Sequence, residues 1–251
     1  MKILKAMVIA FSIYSKIPVS QFEWKEEDME YMMCFFPWIG GVIGLAFFGW
    51  AVLCEKFAVG TLCYALIAAA IPLIISGGFH VDGYMDTMDA LHSYQSREKK
   101  LEILKDSHIG AFAAIMLVLY YLIDIAAISE IHTRKAVFAV AAVFFLARCL
   151  SGIAVVTLQP AKKEGLLYTF ASGAQKEVKR GLYLQLILCM GLMIIISKEY
   201  GVAAIIASLL SFLYFKKKSY KEFGGITGDT AGFFVTVCEA AVAVAVAIAG
   251  A

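Results

Sequence analysis

The stretch KAVFAVAAVFFLARCLSGIAVVTL, residues 135–158, carries a single charge, Arg148, beyond its first position. As a helix it would be about 36 Å long, enough to cross the hydrocarbon core of a bilayer. Further apolar runs lie near 35–54, 57–79, 110–129, 181–197, 201–215 and 231–250, the run at 201–215 being short. Hydrophobic residues make up 61% of the 251 and charged residues only 17%, more apolar surface than a soluble domain of this size can hide. The expected fold is therefore all-α, a polytopic membrane bundle of about seven transmembrane helices. It forms one domain over residues 1–251, with no separate soluble unit.

The opening residues, MKILKAMVIAFSIYSKIPVS, have the basic start and short apolar core of a signal peptide. Lys16 and Pro18 interrupt the chain just beyond that core and no small-x-small cleavage site appears, so an N-terminal interfacial or re-entrant helix is expected instead. The six cysteines show no metal-ligand spacing and read as small apolar fillers.

Charge orients the bundle. Seventeen basic residues fall before span one and after spans two, four and six, in groups that include Lys2 and Lys5, Lys99 and Lys100, Lys162 and Lys163, and Lys216 to Lys218. The opposite connections hold four: Lys56, Arg134, Lys135 and Lys198. Basic loops stay cytoplasmic, which puts the N-terminus inside a bacterial or archaeal plasma membrane and the C-terminus outside.

The run after span two, GGFHVDGYMDTMDALHSY (77–94), spends three aspartates beside the membrane. On a helix Asp82, Asp86 and Asp89 share one narrow face; on a strand Asp89 would point away from the other two. Like charges held together need a hydrated pocket and a cation, and carboxylate oxygens suit a hard ion such as Mg²⁺ or Mn²⁺. Gly77, Gly78 and Gly83 permit a sharp turn or close backbone approach beside them. His80 lies nearby without being required as a ligand. A solvated loop with capping aspartates is the bland alternative.

Three further segments carry polar groups. In SREKKLEILKDSHIG (96–110), Glu102 lies one turn before Asp106, and Lys105 is the cation that would sit between them or contact a phosphate. Alone it reads as an ordinary mixed-charge helix. FGGITGDTAG (223–232) resembles an anion-binding turn at a helix N-terminus, with Asp229 either functional or simply the N-cap. AKKEGLL (161–167) adds Lys162, Lys163 and Glu164. Arg148, within a span, is expected to face the interior or a watery cavity, whereas Asp124, near the outer end of its span, is expected to be solvated. The charge alternation places 80–108, 159–180 and 216–229 on one side. Acids for metal, bases for phosphate and a Gly-rich turn on one face suggest metal-assisted phosphoryl transfer.

These residues resemble the cobalamin synthase family, the adenosylcobinamide-GDP ribazoletransferases. The resemblance rests on GGFHVDGYMDTMDA (77–90), LEILKDSHIG (101–110) and GITGDTAG (225–232), with FPWIG (36–40), Ala147-Arg148 and the AKKEGL loop in support. Ala90 and Ala113 stand where the family usually has glycine. The resemblance implies that adenosylcobinamide-GDP meets α-ribazole or its 5′-phosphate, giving adenosylcobalamin or its 5′-phosphate and GMP, with Mg²⁺ as cofactor. It implies Mg²⁺ on Asp82, Asp86 and Asp89, with Asp89 or Asp106 accepting a proton. Lys105, Arg148 and Lys162 would steady phosphate charge, and His80, Ser107, Asp229 and Thr230 would complete the substrate contacts. A wide cytoplasmic opening is expected for the corrinoid. The lipid bilayer is the expected surroundings and no nucleic acid is expected as a partner, while a homo-oligomer stays open. The alternatives are another Mg²⁺-dependent membrane phosphotransferase, of the CDP-alcohol phosphotransferase kind, and an ion-coupled transporter.

Overall fold

A computed structural model describes residues 2–20, 23–162, 164–173 and 176–250, so Lys163 lies outside the described residues. The described chain is helical: α1 (Lys2–Tyr14), α2 (Phe36–Phe57), α3 (Thr61–Ser76), α4 (Phe79–His92), α5 (Arg97–Ile103), α6 (Ala111–Ile128), α7 (Arg134–Thr157), α8 (Leu166–Gly173), α9 (Lys176–Ser197), α10 (Glu199–Phe223) and α11 (Gly228–Gly250). Two short 3₁₀ turns, Glu26–Met29 and Met32–Cys34, lead into α2.

Among these helices six are long and apolar enough to cross a membrane, and there are seven only if the bent pair α3–α4 is counted as one span. Helix α7 is the axis of the bundle, packed by α2, α9, α10 and α11. Its buried residues run almost without a break from Ala136 to Val155, as expected for a helix that is apolar all round. Gly40 and Gly44 of α2 let that helix lie directly on the α7 backbone at Phe144 and Ala141, where a Cβ would not fit. The outward faces of α6 and α9 keep side chains such as Leu122, Ile187 and Ile195 exposed, the pattern of a lipid-facing surface.

Two expected spans change. The run at 57–79 is not one helix: α3 stops at Ser76, Gly77 (φ +68°) and Gly78 (φ +84°) turn the chain, and α4 leaves at 97°. Both glycines occupy left-handed backbone that other residues adopt at a cost. The short run at 201–215 is the middle of a 25-residue helix, α10, whose polar last turns carry Lys216 to Lys221. Helix α1, 13 residues long, is too short to span, and its end meets the α3–α4 corner, where the Lys16 amide donates to the Ile75 carbonyl at 2.8 Å.

The corner sends α4 across one end of the bundle, over the starts of α6 and α11. The connections that carry the motifs collect at this end. Lys100 pairs with Glu222, Lys105 with Glu164 at 3.0 Å, and the Lys162 ammonium donates to the Leu101 carbonyl at 3.0 Å. A backbone bridge joins Pro160 to Ile226, its amide–carbonyl bonds at 2.8 and 3.0 Å.

Candidate active site

Helix α4 lies against α11 because both helices are small where they cross. A Cβ on Gly83 would stand 2.8 Å from the Asp229 carbonyl oxygen, and one on Gly232 would stand 3.1 Å from the His80 carbonyl oxygen. Tyr84, one residue on, stacks on Phe233 with ring centroids 5.9 Å apart and donates to the Met116 carbonyl of α6 at 3.1 Å. This crossing brings the aspartates of α4 to the first turn of α11.

Thr227 and Thr230 cap α11, not Asp229. The Thr230 amide donates to the Thr227 hydroxyl at 3.1 Å, and the Thr227 amide donates to the Thr230 hydroxyl at 2.8 Å, a reciprocal capping box. With the helix end satisfied by the threonines, the Asp229 carboxylate is left to face the cavity, with its own backbone amide and a long 3.5 Å contact from the Thr227 hydroxyl beside it.

The cavity, about 340 Å³, lies between α1, α4, α7, α8 and the start of α11, with Lys162, Glu164 and Gly165 also lining it. Asp82, Glu164, Asp229, Lys105 and Lys162 give it charge; Phe36, Phe79, Val155, Leu167 and Phe170 give it an apolar lining. His80 and Ser151 are the buried polar residues of its wall, together with Tyr14.

The acids form a strained electrostatic group. Asp86 is pushed up to about 7 by partial burial and then by the charges of Asp82, Asp229 and Asp89. Among the described residues none of these four carboxylates forms an ion pair. The expected triple ligand set is not assembled, however: among the described residues no three acidic, histidine or cysteine side chains converge on one point. Asp89 is the reason on α4, its carboxylate lying against Gly110 at the start of α6. What remains suits Mg²⁺ nonetheless, because that ion commonly takes one or two carboxylates and completes its shell with water and substrate phosphate. Asp82 and Asp229 supply oxygen donors on the cavity and Asp86 adds charge beside them, so the pair fits a hard divalent cation.

Other predicted residues are placed differently. Helix α5 ends at Ile103, so Glu102 and Asp106 do not share a helical face; Glu102 pairs with Lys99 at 2.8 Å. Asp106 is exposed and accepts from the ring and amide of His108 at 2.6 and 3.0 Å, which lower its pKa. Ser107 is exposed too, and neither residue lines the cavity. Arg148, 1% exposed, is turned inward and donates to Glu239 and to the Phe144 carbonyl, both at 2.8 Å. Asp124 is buried, not solvated, beside Glu239, Tyr120 and Ala68. The charge count could not reveal this, since depth along a span does not say which face of the helix looks inward.

His80 has a position that spacing could not supply. It is 5% exposed, packed among Tyr14, Phe36 and Phe79, and among the described residues neither ring nitrogen has a hydrogen-bond partner. Burial, with the nearby Arg148 charge, lowers its pKa and keeps the imidazole neutral.

The family described as cobalamin-5-phosphate synthase matches residues 6–247, nearly the whole chain. The chain belongs to this family. It is 44% identical over 250 residues to the adenosylcobinamide-GDP ribazoletransferase of Lachnoclostridium phytofermentans, covering 99% of this chain and 95% of the relative. It is 31% identical to proteins of the same name from Clostridium botulinum over 238 residues and Clostridium perfringens over 239, with 94% of both chains covered in each case. No solved structure matches the chain. Membership makes this chain a transferase of cobalamin synthesis and decides against the transporter and CDP-alcohol phosphotransferase readings. Ala90 and Ala113, the two departures from the usual glycines, are both buried and cost the site no polar group.

Proposed function

We propose that this membrane transferase joins adenosylcobinamide-GDP to α-ribazole or α-ribazole 5′-phosphate. The products are adenosylcobalamin or its 5′-phosphate, and GMP, and the site opens to the cytoplasmic face of a prokaryotic plasma membrane. The observation that carries this reading is the joining of Asp82 and Asp229 with Lys105 and Lys162 around one cavity. A diphosphate needs cations on its oxygens, and a metal held by acids next to lysines provides both kinds.

Asp82 and Asp229, the aspartates that line the cavity, would hold Mg²⁺ with Asp86 adding negative charge beside them, and the ion when bound neutralises diphosphate charge and fixes the line of attack. Lys162 grips a phosphate oxygen. Its ammonium is tethered to Leu101 and, among the described residues, forms no ion pair, so no acid takes up its charge. Lys105 contributes less, being shared with Glu164. A ribazole hydroxyl attacks the phosphorus on the corrinoid side, the bond to the GMP oxygen breaks, and the hydroxyl proton passes to a cavity carboxylate. Asp82 and Asp229 line the cavity and are better placed for that proton than Asp89, against Gly110, or Asp106, turned to His108. Asp106 and Ser107, exposed beside Lys105, are assigned to the corrinoid portion that stays outside. Arg148 is assigned to holding α7 against α11.

The test is direct. Purified protein in nanodiscs, given GDP-cobinamide, α-ribazole and Mg²⁺, should release GMP in step with cobamide formation and stop on chelation. Turnover without GMP release, or undiminished turnover by a folded Asp86→Ala variant in Mg²⁺, would refute the scheme.

A further inference from the structure

One wall of the cavity is aromatic and has no task in the proposed phosphoryl transfer. Tyr14, Phe36, Phe79 and His80 come from three helices and form one cluster, with ring centroids 4.6 to 6.2 Å apart. Within it His80 is 5% exposed and, among the described residues, both ring nitrogens lack a partner. Buried polar atoms in folded proteins are almost always hydrogen-bonded, and an unpartnered one beside a cavity points to a ligand that completes it. The cavity, about 340 Å³, is at the small end of ligand pockets, a size that suits one flat base.

Resting on the proposed reaction, we infer that this wall seats the flat heteroaromatic base of the ribazole acceptor, with His80 hydrogen-bonded to the base's free ring nitrogen. The benzimidazole of α-ribazole is apolar except for that nitrogen, which matches a wall of rings offering one imidazole. Guanine, the other flat base in the reaction, presents polar atoms on several edges and would leave most of them unpaired here. The assignment also puts the acceptor next to Asp82, two residues from His80 and on the same cavity.

The test uses full-length enzyme in nanodiscs and two acceptors, α-ribazole and an indole riboside in which a ring CH replaces the free nitrogen. Wild type should prefer α-ribazole by about tenfold in kcat/KM, the size of one hydrogen bond. His80→Phe should erase the preference while leaving the KM for GDP-cobinamide unchanged. Val155→Phe, which fills the recess, should raise the KM for both acceptors. An equal preference in wild type and His80→Phe overturns the inference, as does a rise confined to the GDP-cobinamide KM, which would give the wall to guanine. Should His80→Phe fail to fold, the wild-type preference and Val155→Phe decide: no preference, or an unchanged acceptor KM, overturns it. If wild type forms no GMP, the reaction itself is wrong, and calorimetric binding of the two ribosides still tests the wall by the same tenfold difference.

Discussion

Gly83 of α4 touches the backbone of Asp229 on α11, leaving no room for a side chain between the two helices. The meeting of two distant motifs depends on that close approach and on the matching one at Gly232. A Gly83→Ala substitution must push α4 outward, at a cost of about 1–3 kcal/mol for an overpacked contact. Thermal unfolding in detergent should show the lowered stability, and Mg²⁺-dependent GMP release should fall much further, because Asp82 is moved away from Asp229.

The acid group predicts a pH signature. Asp86 has its folded pKa raised to about 7 from the ordinary 3.8, so the folded state holds a proton that the unfolded chain has released. Its contribution to stability is greatest below about 4 and is lost as pH rises toward 7. A divalent cation should restore what is lost. The rise in melting temperature on adding Mg²⁺ should therefore be larger at pH 8 than at pH 5, and Asp86→Asn should flatten the difference.

Asp229 and Thr230 are neighbours with different expected phenotypes. Thr230→Val removes half of the capping box and should lower stability by about 1 kcal/mol. Asp229→Asn leaves the cap intact, since Thr227 and Thr230 form it. It should keep the wild-type melting temperature and lose GMP release, and measuring both quantities on both variants checks the division.

Arg148 and Glu239 lock α7 to α11 through a buried bond of 2.8 Å. Removing one partner strands the other charge, an effect of about 3–5 kcal/mol in buried pairs. Arg148→Met should inactivate on mild heating, and Arg148→Met with Glu239→Leu should recover much of the half-life. The KM for GDP-cobinamide should not change in the double variant, because neither side chain lines the cavity.

Much of this protein was readable from its residues alone. Apolar runs of bilayer length dictated a helical bundle, since only structures that satisfy their own backbone hydrogen bonds persist in lipid. Lysine and arginine placement grouped the three motifs on one side, and the structure gathers those segments at one end of the bundle. The helical spacing of Asp82, Asp86 and Asp89 likewise predicted the helix that carries them. Spacing along one helix cannot say what stands opposite it, and there tertiary structure decided. Gly110 receives Asp89, Asp229 arrives from a helix almost 150 residues away to join Asp82 and Asp86, and Glu239 claims Arg148 for the interior. Local sequence sets which face a side chain occupies, while the partner on that face is chosen by helix crossings. Those crossings depend on small contacts such as Gly83 on Asp229, whose partners lie far apart in the chain.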